Sequence, residues 1–413
     1  MTPFRAIKIF SLMSFGLLAP GFVFAQTWTP TSAPNAGVTS IASSADGTKL
    51  VAGIFGRIYT STNSGITWTT NNVPFIAWPS IASSADGLKL AAVAANGGGI
   101  YTSTNSGAVW TQTSAPTNDL RSIASSADGS LLVAVTGNRP RTHGSIFIST
   151  NSGVSWTQTT ASTNYYWTSV AASADGRKLV AAAGYAFSGP GYPPLQNGIY
   201  TSTNSGITWT LTSAPSNYWV SVATSADGRQ LVASAQLTYT FDNNNPFIVL
   251  SPDGIWTSID SGATWISNDV PHINSWSGVA SSADGKGLVT ANQFAIYTST
   301  NSGAVWISNS VPVMSWYYVA SSADGNKLAA GVVGGGIDTS SSISSPYLNL
   351  TPSSTNPVLS WIIPSMNFGL QQSSNLTSWA NVTNASALNL TNLQNQVTLS
   401  PSNSSGFFRL KTP

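Results

Sequence analysis

The chain has 413 residues, only 7% of them charged, with no cysteine and no glutamate, so its thirteen acidic residues are all Asp. Of the fifteen Lys and Arg, Arg5 and Lys8 fall in an N-terminal stretch of leader character, which leaves a formally neutral remainder. That balance offers no electrostatic footprint for nucleic acid or an anionic membrane, and the missing Cys excludes disulfides, thiol nucleophiles and a lipidated N-terminal Cys.

Residues 1–25 read as a secretory signal peptide. Arg5 and Lys8 form a positive n-region, Ile9 to Phe24 is apolar with a break at Pro20-Gly21, and Val23-Phe24-Ala25 supplies a small-residue cleavage site before Gln26. No later stretch is long and apolar enough to span a bilayer. A secreted, periplasmic or cell-surface protein is expected, with no integral membrane segment once the leader is removed.

Residues 26–343 are dominated by an internal repeat. Ala-Asp-Gly recurs seven times, with its Asp at 46, 86, 128, 175, 227, 284 and 324, at spacings of 40 to 57 residues. The long intervals carry insertions, notably Tyr185–Asn197 and Gln236–Asp253. A second signature, Ser-Thr-Asn-Ser-Gly-x-x-Trp, occupies Ser61–Trp68, Ser103–Trp110, Ser149–Trp156, Ser202–Trp209 and Ser299–Trp306, with a variant at Ser258–Trp265 that carries Asp260 at the Asn position.

Each unit reads as four short strands. The first ends in Ser-Ile/Val-Ala-Ser-Ser, and Ala-Asp-Gly turns the chain, because Asp caps backbone N–H groups and Gly accepts positive φ. The second is a continuous apolar run such as Leu131–Val135, as befits a strand covered on both faces. The third is Gly-Ile-Tyr-Thr-Ser-Thr, and the fourth begins at Ile66-Thr67-Trp68 and its equivalents. Four-stranded units at this period predict propeller blades. The seventh unit lacks its fourth strand, but Thr27–Pro34 matches the fourth-strand text Trp209–Pro215. The mature N-terminus is therefore expected to complete the last blade and remove a free sheet edge. The fold class expected is all-β: a seven-bladed β-propeller closed by the N-terminal strand.

On these residues the repeat resembles the Asp-box of bacterial-neuraminidase (BNR) repeats, found in sialidases, sortilin-type ectodomains, xyloglucan-cleaving propellers and photosystem II assembly factors. The resemblance covers roughly residues 27–342. It implies that the box is a structural hairpin between third and fourth strands. Five of the six boxes put Asn where that family usually has Asp. Asn keeps an oxygen to cap the turn but loses the charge that calcium ligation needs.

Residues 344–413 form a linker and a small C-terminal β module. Short alternating stretches at Val358–Ile363, Phe368–Gln372, Val397–Ser400 and Phe407–Leu410 are separated by Asn/Ser/Thr turns, the pattern of a small β-sandwich. Phe368–Trp379 is similar to C-terminal modules of large secreted bacterial proteins.

Catalytic constellations are scarce. A sialidase resemblance would require a Tyr–Glu pair, which a chain without Glu cannot build. A carboxylate pair for glycoside cleavage must come from Asp119, Asp242, Asp253, Asp269 and Asp338, since the others sit in turns and in one box. His143 and His272 are the only histidines and lie in no nucleophile or zinc context. No phosphate loop or dinucleotide fingerprint occurs, so no cofactor and no metal are expected.

Aromatic residues give the site expectation. Three residues upstream of the first-strand Ile/Val stand Val38, Trp78, Leu120, Trp167, Trp219, Trp276 and Trp316, with Tyr165, Tyr166 and Tyr317 beside them. These enter the innermost strand at the mouth of the central channel. The ligand-binding set expected there is Trp78, Arg121, Tyr165, Tyr166, Trp167, Trp219, Trp276, Trp316 and Tyr317. Flat rings among Asn, Ser and Tyr suit sugar rings or extended peptides. A Trp repeated in register also suits a wedge between blades. The expected function is a monomeric, non-catalytic, exported propeller binding a polysaccharide or an extracellular or periplasmic protein. The alternatives are a glycan-cleaving propeller enzyme using Asp and a scaffold for a membrane-protein complex.

Overall fold

In a computed structural model the described residues are 26–117, 119–137, 144–161, 165–184, 197–236, 254–270, 276–342, 346–352, 356–364, 368–383, 386–399 and 407–411, with backbone alone at 8–9, 238–242 and 245–251. Residues 1–7 and 10–25, read above as a signal peptide, lie outside the described residues, as do His143, His272, most of the Arg139–Ser145 and Tyr185–Asn197 insertions and the side chains of Asp242 and Asp253. Thr238–Asp242 and Asn245–Ser251 of the third insertion pair as a hairpin.

Seven four-stranded antiparallel sheets follow one another as blades. Blade 1 is typical: Val38–Ser43, Leu50–Ile54, Arg57–Ser61 and Thr69–Thr70, hydrogen-bonded in chain order. Its second strand is buried at every position, because neighbouring blades cover both faces. Blade 7 has Trp316–Ser321, Lys327–Val332 and Ile337–Ser341 from the end of the repeat, and Trp28–Pro30 supplies its fourth strand. Trp28, Thr29 and Pro30 pair with Ser340, Thr339 and Asp338, as the sequence pattern anticipates.

The core lies between the blades. Val51 and Ile58 of blade 1 pack with Trp78, Ile81 and Leu90 of blade 2. Val180 and Ile199 of blade 4 likewise meet Trp219, Val222 and Leu231 of blade 5. Ala329 and Ile337 of blade 7 meet Val38, Leu50 and Ile54 of blade 1, which closes the circle.

The Ala-Asp-Gly turns build an inner hoop. In each, a Ser hydroxyl donates to the Asp carboxylate, from Ser44 to Asp46 at 2.6 Å through Ser322 to Asp324 at 2.6 Å, and the amide two residues after the Asp donates to the same oxygen. The Ala of each turn donates its N–H to the Ala carbonyl of the next blade. The series runs Ala45, Ala85, Ala127, Ala174, Ala226, Ala283, Ala323 and back to Ala45, every bond 2.7 or 2.8 Å.

Burial pushes the Asp46 carboxyl upward, but the Ser44 hydroxyl, the Thr48 amide and hydroxyl and the Lys327 ammonium outweigh it and hold it below its ordinary value of 3.8. Asp128 is lowered in the same way, its burial outweighed by Ser126, Ser130 and Lys89. A carboxyl lowered on folding contributes stability that is complete above its ordinary value and is lost as pH falls through the folded one. An Asp46→Asn/Asp128→Asn variant is therefore expected to be less stable than wild type at about pH 5, with the gap in urea midpoint closing towards about pH 3. A gap unchanged across that range would remove the carboxylates from the account.

The C-terminal module is two small sheets. One runs Asn349–Thr351, Val358–Ile362, Gln394–Thr398, Ala387–Asn389; the other holds Gly369–Ser373 between Phe407–Lys411 and Ala380–Asn381. Backbone of Lys8–Ile9 runs parallel to Phe407–Phe408 at the edge of the second. Leu359, Trp361, Leu370, Val397 and Phe408 form the shared core. Leu390 and Leu393 of this module pack on Ala127, Ala174 and Ala226, and Leu393 lines the end of the channel. The Ala-Asp-Gly mouth is thus stoppered by the chain's own tail.

Candidate functional site

With one mouth stoppered, the opposite face is the open one. It carries the starts of the first strands, the connections from fourth to first strands and those from second to third. The five tryptophans expected to present a binding surface there, Trp78, Trp167, Trp219, Trp276 and Trp316, are all 0% exposed. A register shift follows the Trp in the four described ladders that contain one, between Trp167/Ser169, Trp219/Ser221, Trp276/Val279 and Trp316/Tyr318. This bulge breaks the period-2 alternation, and the indole lies in the blade junction, not on the mouth.

There four of the five indoles meet an aromatic of their own blade's third strand. Trp78 sits edge-on to Tyr101 at 5.3 Å, Trp167 to Tyr200 at 5.2 Å, Trp219 to Trp256 at 6.2 Å and Trp276 to Tyr297 at 5.2 Å. Trp78 Nε1 donates to the Gly56 carbonyl at 3.3 Å and Trp316 Nε1 to that of Pro312 at 3.0 Å. Among the described residues the indole N–H groups of Trp167, Trp219 and Trp276 meet no acceptor. The wedge reading of the repeated Trp is the one the geometry carries. As placed, these five side chains offer no surface to a ligand.

The remaining expected residues are partly exposed. Arg121 Nη2 donates to Asp119 Oδ2 at 2.7 Å, and its guanidinium lies 5.5 Å from the Tyr166 ring centroid. Asp119 is thereby held by a neighbouring cation and is no free carboxylate. Tyr165 stands edge-on to Trp167 at 5.5 Å and tilted on Tyr200 at 5.1 Å. Burial, then the Tyr165 hydroxyl, pushes the Tyr200 phenol up, so it stays protonated throughout the neutral range. Tyr317 is elsewhere on the ring, in blade 7, 5.1 Å from Tyr318. Burial, with Tyr317 beside it, pushes Tyr318 up to about 12. The structure therefore unites Arg121, Asp119 and Tyr166 at one junction and Tyr165 with the Trp167 wedge, and leaves Tyr317 apart.

Exposed apolar side chains on this face escaped the sequence reading. Phe55 and Phe75, 67% and 59% exposed, meet edge to face at 5.8 Å, with Arg57 over the Phe75 ring at 5.4 Å. Phe294, Val313, Met314 and Val333 are also exposed on these connections. The signal was available: each is a large apolar residue in a turn or connection, where nothing in the fold requires one.

The other candidate acids are dispersed. Asp269 is exposed in a fourth-to-first connection, and Asp338 stands where most blades have Tyr, half-buried, its carboxyl pushed up by burial. In the Ser-Thr-Asn-Ser-Gly turns the Asn oxygen serves the hairpin, as when Asn63 Oδ1 accepts from the Thr67 amide at 2.9 Å. Among the described residues no three His, Cys, Asp or Glu side chains come together to hold a metal ion, and no helix is long and apolar enough to cross a membrane.

No protein-family profile and no curated protein matches the chain. Solved structures do. A hydrazine synthase structure from Kuenenia stuttgartiensis superposes with a TM-score of 0.60 at 15% identity, covering 79% of this chain and 100% of that one. YCF48 bound to D1 peptide gives 0.55 at 13%, covering 78% and 96%. The GH74 xyloglucanase from Xanthomonas campestris gives 0.55 at 13%, covering 82% of this chain, which spans 59% of that enzyme. At such identities the likeness establishes the β-propeller fold and nothing narrower.

Proposed function

We propose that the chain is an exported, non-catalytic binding propeller that takes an extended polypeptide segment on its open face. The observation that carries this reading is the set of apolar side chains Phe55, Phe75, Phe294, Val313, Met314 and Val333, exposed on the same face as the Arg121–Asp119 pair. Apolar side chains rimmed by a few polar groups suit a polypeptide. The repeated tryptophans, expected from the sequence as stacking platforms on this face, are buried. A similar fold is seen in YCF48 bound to D1 peptide. The proposal includes leader cleavage before Gln26, with a propeller at 26–343 and the β module at 344–413. It also reads the repeated turns as Asp-boxes of the BNR kind.

An immobilised peptide array tests the reading. Wild type is expected to retain a subset of peptides, and a Phe55→Ser/Phe75→Ser/Met314→Ser variant to retain them at least ~10-fold less, with its melting temperature held because these side chains are exposed. Equal retention by the two proteins, or none by wild type, refutes it. Reducing-sugar release from a polysaccharide panel, lost in Asp269→Asn, would instead make the chain a hydrolase.

A further inference from the structure

Six of the seven Ala-Asp-Gly turns have their glycine covered by a side chain from the preceding blade. A methyl group added at Gly47 would meet Lys327 at 2.8 Å, at Gly87 Lys49 at 2.8 Å and at Gly129 Lys89 at 2.7 Å. At Gly176 it would meet Leu131 at 3.1 Å, at Gly228 Lys178 at 2.7 Å and at Gly285 Gln230 at 2.6 Å. The covering residue always lies three positions after the Asp of its own turn. In blade 6 that position is Gly287, and Gly325 of blade 7 is left with only Ser282 at 3.3 Å and the Gly287 Cα at 3.6 Å near it. The repeat loses its lid at this one junction.

A cleft of about 670 Å³ lies at that place, between the turns of blades 6 and 7 and the C-terminal module. Its size falls within the ~300–1,000 Å³ span of small-ligand sites. The propeller contributes Asp284, Lys286, Asp324 and Asn326, and the module contributes Tyr347 and Gln394. Oδ1 of Asp284 is occupied by the Ser282 hydroxyl and the Lys286 amide at 2.7 and 3.0 Å, whereas among the described residues no donor reaches its Oδ2. Tyr347 is 66% exposed, with the Lys286 ammonium 5.3 Å from its ring centroid. An open carboxylate oxygen, an ammonium, side-chain amides and one aromatic ring thus share a single concavity.

We infer that this cleft is a second binding site, for a neutral oligosaccharide. A sugar hydroxyl donates and accepts at once, and so pairs with a carboxylate and an ammonium set side by side. The C–H face of a pyranose packs on an exposed aromatic ring. With two carboxylates, Asp284 and Asp324, against the one ammonium of Lys286, the cleft disfavours an anion and carries too little net charge to select a strongly cationic ligand. The site lies on the stoppered face, away from the exposed apolar set, and stands or falls separately from polypeptide binding there.

Saturation-transfer NMR on the full chain with maltohexaose, cellohexaose, xylohexaose and mannohexaose tests the inference. Gly287→Lys restores the residue that the repeat uses elsewhere. Gly287 is not in the left-handed region, and an added Cβ would crowd the Ser282 hydroxyl at 3.1 Å, a contact relieved by a shift of a few tenths of an ångström. Lys49, Lys89 and Lys178 stand at the same position beside the equivalent Ser, so the variant should fold. At least one hexasaccharide is expected to bind wild type and to bind Gly287→Lys at least ~10-fold more weakly, with the melting temperature and peptide retention unchanged. Should Gly287→Lys melt early, Tyr347→Ala at its exposed position decides, with the same loss expected. Binding by none of the four sugars, or binding undiminished in the folded variants, overturns the site.

Discussion

Removing residues 26–32 is expected to open the ring and to cost more stability than any single substitution. Trp28 is 8% exposed and packs with Val289 and Ile296 of blade 6 and Trp316 and Leu328 of blade 7. Emptying a buried Trp site costs ~3–5 kcal/mol, and the lost ladder to Asp338, Thr339 and Ser340 adds to this by exposing a bare edge strand. The truncated protein should melt earlier and self-associate through the strand Ile337–Ser341. A synthetic peptide of residues 26–36 added in excess should restore the midpoint by occupying that edge. Equal midpoints for truncated and full-length protein would mean that the ring is not held by this strand.

The second large effect is expected at the wedges. Trp219 is fully buried, edge-on to Trp256 and tilted on Trp265 at 6.3 Å, with Val180, Ala182 and Ile199 across the junction. Trp219→Ala should lower stability to urea by ~3–5 kcal/mol. Trp219→Phe should lose less, because the ring is retained and the indole N–H has no acceptor among the described residues to forfeit. Peptide retention should survive Trp219→Phe. Retention lost in a variant that still melts like wild type would return this residue to the binding surface.

The blades were legible because the repeat states the Ala-Asp-Gly turn seven times in register and the following box six times. Closure was legible for the same reason: Thr27–Pro34 is recognisably a fourth strand with no blade of its own. The tryptophans were legible as positions but not as directions. A bulge after Trp167 and its equivalents reverses which face a side chain takes, and no alternation pattern announces it. Leu390 and Leu393 were illegible in another way. They sit in an Asn/Thr-rich stretch of the tail, and their role exists only once the tail meets the blades at the channel. Gly287 lay in plain view as the odd member of a column of Lys, Leu and Gln. Its meaning came from the cover missing over Gly325.

The inner hoop has an electrical consequence. Seven peptide hydrogen bonds run in one sense around the channel, each Ala donating to the next and accepting from the one before, and they return to their starting point at Ala45. In a helix such alignment leaves partial charges at the two ends, which draw anions to one and cations to the other. Peptide dipoles set nose to tail around a circle sum to nothing across it, and a circle has no terminus at which unpaired N–H or C=O groups accumulate. The hoop thus gains serial alignment without an axial field, and its peptide bonds themselves add no preference for either sign of charge to the channel they encircle.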